Sequence, residues 1–342
     1  MVQHYQRSIR KALKYAIIFI IILGILFTFA NLRKLKQHFL NLDTTFLLLA
    51  IACTLIVYIL EGFFTKLSLL VFDEKLSFLN SLKYSFIINS FGYIISLGGL
   101  THFATQIYVL GHHNISPKKA TLSRILYLMF FNILFDLLII AGFVALLSNK
   151  EKENLHLTLV NIVLSLFFML IISFYLAIFW KKFQDAASKL FTSFTNRVLG
   201  LFTKKLRIEK DWVKSFLKDF NEGFFKLIKK PGYFISMLLV TIIDWSFWLG
   251  VMYFCFLAVN YTIKLGFLII GFSIGQIVGV LSMIPGGAGT LEGSMALTFT
   301  ALGVPLERAL GAIILFRIIF YIVPFFLSLP FYFSLKKKYI AH

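Results

Sequence analysis

Apolar positions along this chain gather into long continuous runs rather than short alternating segments, so helices of membrane-crossing length are the expected elements. A crossing needs roughly 20 apolar residues to cover about 30 Å of hydrocarbon. Residues 15–30, 45–60, 123–147, 157–180, 234–258 and 309–333 approach or meet that length. Two further runs are interrupted. Residues 84–110 break at Gly98-Gly99, and residues 265–302 break at Pro285-Gly286-Gly287-Ala288-Gly289. Proline and clustered glycines cost several kcal/mol inside a helix. Each interrupted run therefore predicts a hairpin that dips into the bilayer and returns to the same side.

Composition agrees with this pattern. The 342 residues are 59% hydrophobic and 14% charged, against about a quarter charged in a soluble protein. The 41 phenylalanines suit a surface that faces lipid. The net charge of +19 raises nucleic acid as a partner, but the basic residues cluster in the gaps between apolar runs, as cytoplasmic loops do. Nucleic-acid binding is not expected. Cys53 and Cys255 each fall inside an apolar run, so neither a disulfide framework nor a metal site is indicated, and no cofactor is expected. The run at 15–30 has a basic lead in Arg7, Arg10, Lys11 and Lys14, and Thr28 and Ala30 loosely resemble a cleavage site. Arg33, Lys34 and Lys36 directly after it disfavour export and cleavage.

With a cytoplasmic N-terminus and two hairpins, the inner segments carry 26 of the 34 basic residues and the outer loops 7, with Arg317 inside the membrane. This orientation places both termini in the cytoplasm and Lys336-Lys337-Lys338 inside. Residues 181–232 hold 13 basic and 5 acidic residues, with Trp212, Phe216, Phe220, Phe224 and Leu227 at helical spacing. They predict an amphipathic helix on the anionic inner leaflet or, equally, a connector packed on the bundle.

A shift of 188 residues brings the landmarks of the two halves together. Gly98-Gly99 falls on Gly286-Gly287, Pro117 on Pro305, and Thr45 on Tyr233. Each half reads as span, broken hairpin, span: residues 45–148 and 233–336 of a single transmembrane domain covering 1–342. The first hairpin enters from the cytoplasm and the second from outside. The fold class expected is an all-α integral membrane protein, a polytopic helical bundle with two re-entrant hairpins in an inverted repeat, with its binding site near the midplane.

Ionisable groups fall where they are costly. Asp136 and Asp244 sit near the centres of spans, Arg317 lies inside the last one, and Glu292 follows the second break. An ionised group at the bilayer centre costs roughly 3 kcal/mol on insertion scales, so such groups face a cavity or a partner. Arg317 paired with Glu292 or Asp244 is one arrangement. The other uses the backbone of Pro285, Gly286, Gly287 and Gly289, whose amides, with Arg317 and the N-terminus of a helix starting near Leu291, attract a lipid phosphate. Glu292 and Asp244 then receive a cationic head group or a coupling proton. His102 and Gln106, one turn apart after the first break, hold the equivalent place in the other half, where a lone histidine is more often a packing residue.

The segment Ser282-Met283-Ile284-Pro285-Gly286-Gly287-Ala288-Gly289-Thr290-Leu291-Glu292-Gly293, followed by Gly303-Val304-Pro305, Ala309 and Leu315-Phe316-Arg317-Ile318-Ile319 up to Pro324, resembles the lysylphosphatidylglycerol synthase transmembrane region family. That family includes the flippase half of the bacterial multiple peptide resistance factor. The resemblance implies about eight membrane segments in a plasma (inner) membrane and movement of an anionic phospholipid or polyprenyl-linked lipid between leaflets. In the first copy, Leu97-Gly98-Gly99-Leu100 lacks the proline and no arginine matches Arg317. No counterpart of the resistance factor's soluble aminoacyl-transferring domain follows the last span, so this chain is not expected to synthesise lysylphosphatidylglycerol. With no nucleophile–base pair in evidence, a lipid flippase is expected rather than an enzyme. The alternative is a membrane scaffold for a separate lipid- or glycan-modifying enzyme, docked through residues 181–232.

Overall fold

The computed structural model describes residues 39–95, 99–148, 210–282 and 284–340. The expected spans at 15–30 and 157–180, Gly98, and residues 181–209 of the basic connector lie outside them. Among the described residues the structure is helical throughout, with no strand. Two compact units divide the chain. The larger holds both hairpins and the core of the bundle, and the smaller comprises residues 70–74 and 154–236.

In the larger unit, α1 (Thr44–Val71) is followed by the hairpin α2 (Phe78–Ile94) and α3 (Leu100–Gly111), then by α4 (Pro117–Ser148). The second half follows α5 (Lys210–Ile228), which belongs to the smaller unit. It runs α6 (Pro231–Ala258), α7 (Leu265–Leu281), a short 3₁₀ turn at Pro285–Gly287 and α8 (Thr290–Ala301). It ends with α9 (Leu306–Arg317), a π turn at Ile318–Ile322 and α10 (Val323–Ile340). Among the described residues, four stretches are long and apolar enough to cross a membrane: Thr44–Val71, Pro117–Ala145, Pro231–Ala258 and Leu306–Leu335. Their outward faces carry exposed Leu48, Leu137, Leu239 and Phe326, a surface that water does not tolerate and lipid does.

The first span is longer than its apolar run predicts. It continues past Leu60 to Val71, so Glu61 and Thr65 lie within the helix and not in a loop. The reason is a polar stripe. Thr54, Tyr58, Glu61, Thr65 and Ser68 recur every three or four residues and are all buried, so this helix turns its polar side inward. Serines of α2 fasten to that stripe. The Ser85 hydroxyl donates to Tyr58 O (2.7 Å), the Ser81 hydroxyl donates to Gly62 O, and the Ser68 and Ser123 hydroxyls lie 2.5 Å apart between α1 and α4.

Hydrogen bonds at the helix ends set the direction of each element. Asp43 caps α1 through its carboxylate (Thr45 N–H, 2.9 Å), while its own N–H donates to Ala258 O at the end of α6 (3.0 Å). The start of α1 and the end of α6 therefore share one end of the bundle. The hairpin of α2 and α3 opens at the other end, where His113 Nε2 and the Tyr84 hydroxyl lie 2.5 Å apart. The hairpin of α7 and α8 opens beside the start of α1, because a side chain at Gly266 meets Ala145 near the end of α4. The two hairpins thus come in from opposite ends.

A glycine ridge holds the second hairpin together. Gly271, Gly275 and Gly279, each four residues apart on α7, lie against Phe299, Met295 and Leu291 of α8. Small residues at this spacing let helices approach closely without any hydrophobic drive between them in lipid. In the last span, Pro324 has no N–H, so the carbonyl of Phe320 loses its donor. The helix answers with the π turn, and the Tyr58 hydroxyl donates to Phe320 O (3.2 Å).

The smaller unit shows α5 with Phe220, Gly223 and Leu227 buried on one side and Phe225, Lys226 and Ile228 exposed on the other. Gly223 makes room for the ring of Phe72, and Lys226 Nζ lies 3.5 Å from Asp73 Oδ2. Of the apolar positions expected at helical spacing, Phe220 and Leu227 are buried in this unit and Phe224 is half-buried.

The glycine ridge makes a direct prediction. A Cβ on Gly275 falls 2.1 Å from Met295 Cγ, whereas Gly111 has open space. Gly275→Val is expected to cost about 1–3 kcal/mol through overpacking, and Gly111→Ala to be neutral or slightly stabilising. Melting temperatures of the purified proteins in detergent distinguish the two, and equal values refute the packing role.

Candidate functional site

The break in the second hairpin is built from glycines that take backbone conformations other residues avoid. Gly286, Gly287 and Gly289 have φ of 65°, 61° and 82°. The turn folds onto itself: Gly287 N–H donates to Ile284 O (2.8 Å) and Ala288 N–H to Pro285 O (3.2 Å). The Thr290 hydroxyl bonds Ser282 Oγ (2.9 Å) and Gly287 O (3.1 Å).

Glu292 then closes the start of α8. Its Oε2 accepts the Gly289 N–H at 2.8 Å, while Oε1 lies 2.6 Å from Arg317 Nε. The latter is a charge contact without aligned hydrogen-bond geometry, since Nε has no formed hydrogen bond. Arg317 Nη2 is also buried without a partner, and the guanidinium lies 4.4 Å above the Tyr321 ring. The expectation that the loop amides are free for an anion is therefore corrected. Local carbonyls take those of Gly287 and Ala288, and Glu292 itself supplies the negative charge at the helix start. That start is Thr290, one residue before the expected position.

The first hairpin meets this loop. A Cβ on Gly286 falls 3.0 Å from Ile94 O and 3.4 Å from Tyr93 O, so only glycine admits this contact between the two breaks. Tyr93 is the hub on the first side. Its hydroxyl donates to Glu61 Oε1 (2.9 Å), to which the Tyr127 hydroxyl also donates (3.0 Å). Its ring meets those of His102 (4.9 Å between centroids), Tyr321 (5.4 Å), Phe320 (5.6 Å) and Trp248 (5.7 Å). Arg124, 6% exposed, reaches Asn89 Oδ1 (3.5 Å) and stacks on Tyr127 (4.6 Å). It belongs to the bundle interior rather than to the cytoplasmic loop in which its place after Lys118-Lys119 predicts it.

The sequence-derived residues separate into groups. Arg317, Glu292, Pro285, Gly286, Gly287 and Gly289 converge at the second break. His102 packs between Gly92 and Tyr93, with Nε2 unpartnered. Asp244 is 2% exposed, and neither of its carboxylate oxygens has a hydrogen-bond partner. Gln106 stands apart: its Nε2 donates to Ala120 O (3.1 Å) and Ser123 Oγ (3.4 Å), which ties α3 to α4. Asp136 lies on α4 between exposed Ile133 and Leu137, and among the described residues no hydrogen bond or ion pair joins it to either break. The sequence reading missed Glu61, Tyr93, Arg124 and Tyr127. The polar periodicity of α1 is the signal that finds Glu61, because it continues on either side of that residue.

Glu292 has two separable tasks, and substitutions divide them. Glu292→Gln keeps a carbonyl to accept the Gly289 N–H but leaves Arg317 without its counter-charge, at a cost of about 3–5 kcal/mol. Glu292→Ala loses the cap as well, a further cost of about 1 kcal/mol. The order of melting temperatures in detergent is expected to be wild type, Gln, Ala. An alanine variant as stable as glutamine removes the capping role.

The profile of the lysylphosphatidylglycerol synthase TM region family matches residues 12–328. A phosphatidylglycerol lysyltransferase of Staphylococcus aureus (strain MRSA252) is 36% identical over 106 residues, which is 30% of this chain and 13% of that protein. A UPF0104 membrane protein of Methanothermobacter thermautotrophicus is 26% identical over 176 residues, 49% of this chain and 50% of the relative. The matches thus span half or less of these relatives' own lengths. With the match covering most of its length, and with four helices of crossing length among the described residues, this chain is a multi-pass membrane protein belonging to the lysylphosphatidylglycerol synthase TM region family.

Proposed function

We propose that this protein is a lipid flippase of the plasma membrane, carrying the head group of an anionic phospholipid between leaflets with both termini in the cytoplasm. One observation carries the proposal: two hairpins entering from opposite ends bring their breaks together at Gly286, Tyr93 and Ile94, with charged groups on either side. Irregular backbone at membrane depth is tolerated where protein covers it or where it lines a polar path. Arg317, with Nη2 unpartnered beside Tyr321, is the group offered to a phosphate; Glu292 holds it in place.

An inverted repeat is part of this proposal. It is supported by the equal lengths of the matching helices: 28 residues in α1 and α6, 17 in α2 and α7, and 12 in α3 and α8. The bond from Asp43 N–H to Ala258 O adds support, because it sets the equivalent helices α1 and α6 running in opposite directions. The choice of an anionic phospholipid draws on the relative named as a phosphatidylglycerol lysyltransferase. The proposed movement of the lipid involves no covalent step.

Reconstituted into liposomes, the protein is expected to accelerate leaflet exchange of a fluorescent phosphatidylglycerol. Arg317→Ala is expected to slow that exchange by about tenfold, equivalent to losing one charge-assisted hydrogen bond. Arg317→Lys, which keeps the charge, is expected to retain most of it. Exchange no faster than in protein-free liposomes, from a preparation that elutes as a folded species, overturns the proposal.

A further inference from the structure

Glu61 and Asp244 are both 2% exposed, yet their surroundings differ. Glu61 has two tyrosine hydroxyls on Oε1 and the indole N–H of Trp248 beside it, while among the described residues neither oxygen of Asp244 has a hydrogen-bond donor. The two are joined through one ring: Trp248, one turn after Asp244 on α6, packs against Tyr93 (5.7 Å between centroids), whose hydroxyl donates to Glu61. An ionised carboxylate buried without a donor or counter-ion is among the costliest arrangements in a protein, and such a group takes up a proton instead.

The groups around this pair come from several elements. Tyr58 lies one turn before Glu61 on α1, Tyr93 donates to Glu61 from α2, where Asn89 meets Arg124, and His102 of α3 packs on the Tyr93 ring. Arg124 and Tyr127 come from α4, Trp248 from α6, and Tyr321 of the π turn packs on Tyr93. Among them Arg124 is the cation that acts on Glu61. Arg317 is engaged by Glu292. His102 packs in a buried ring stack on Tyr93, and among the described residues it makes no ion pair with either carboxylate. Among the described residues Arg124 therefore balances one carboxylate and leaves the second without a counter-charge. Tyr127 reaches toward both: its hydroxyl donates to Glu61, and its ring stacks on Phe131, which packs on Trp245 beside Asp244.

We propose that Glu61 and Asp244 form a proton-binding site that holds one exchangeable proton, and that this proton is the coupling ion for lipid movement. With the proton in place, Arg124 and the two carboxyl groups sum to zero charge. Release breaks one carboxyl O–H bond, hands the proton to water and leaves a net charge of −1; uptake reverses this, and no electrons move. The coupling role rests on the flippase proposal above, whereas the site itself rests on burial and missing donors.

The experiment uses the full chain in two formats. In lipid nanodiscs, infrared spectroscopy is expected to show the carbonyl stretch of a protonated carboxylic acid at neutral pH. That band should shift on exchange into heavy water, fade at alkaline pH, and be missing from Asp244→Asn, whose amide mimics the neutral acid and preserves folding. In liposomes, an imposed pH gradient is expected to change the rate of phosphatidylglycerol exchange several-fold in wild type and leave Asp244→Asn unaffected. A wild-type spectrum without the band overturns the proton site. A band accompanied by exchange indifferent to the gradient overturns the coupling. Wild-type liposomes with no exchange refute the flippase proposal separately, and the infrared band still decides the proton site.

Discussion

Every peptide group placed in hydrocarbon has to find a hydrogen-bond partner within the protein, and this chain breaks two helices in a molecule whose outer surface is apolar. The rest of the architecture follows from how those breaks are satisfied. At the second break, three glycines at positive φ let the turn pair with itself and let Glu292 reach back to Gly289. At the first, the end of α2 lies against the glycine of the other hairpin. In the last span, the carbonyl freed by Pro324 is met by a hydroxyl from α1, more than 260 residues earlier. The same economy recurs at each site: a backbone group released in one element is taken by a side chain or turn of another.

Charge is arranged around this framework in two tiers. Glu292 and Arg317 form a close pair next to the glycine turn, with one guanidinium nitrogen left over. On the other side of the contact, Glu61 is held by tyrosine hydroxyls and faced by Arg124. Rings of Tyr58, Trp248, Phe320 and Tyr321 surround Tyr93 between the two tiers. The aromatic layer places both tiers in low-polarity surroundings, which strengthens their electrostatics and raises the penalty for any group left unmatched.

Much of this was legible in the chain, for reasons that particular residues make plain. Long apolar runs mark crossings because hydrocarbon thickness sets a minimum length, and α4 and α6 begin within about six residues of their expected starts. Pro285 and its glycines mark a break because no straight helix accommodates them. Glu61 escaped because a charged residue at the end of an apolar run reads as the edge of a span. It is a polar residue turned inward, distinguishable only through its periodic neighbours Thr54, Tyr58, Thr65 and Ser68. Arg124 escaped for the same reason, since its neighbours Lys118 and Lys119 belong to a helix start. The meeting of Gly286 with Tyr93 and Ile94, some 190 residues apart, has no local trace, and neither does the choice of Glu292 over an outside anion as the cap of α8.

The ridge of Gly271, Gly275 and Gly279 carries a mechanical consequence. Where backbone lies this close to Phe299, Met295 and Leu291, there is no side-chain slack to absorb sliding or twisting between the paired helices. The second hairpin therefore behaves as a stiff lever, and any displacement has to be taken up at its two ends. One end is the connection at Lys264; the other is the glycine turn itself, which touches the opposite hairpin. Motion of the lever and the shape of the contact at Gly286 are in this way one degree of freedom.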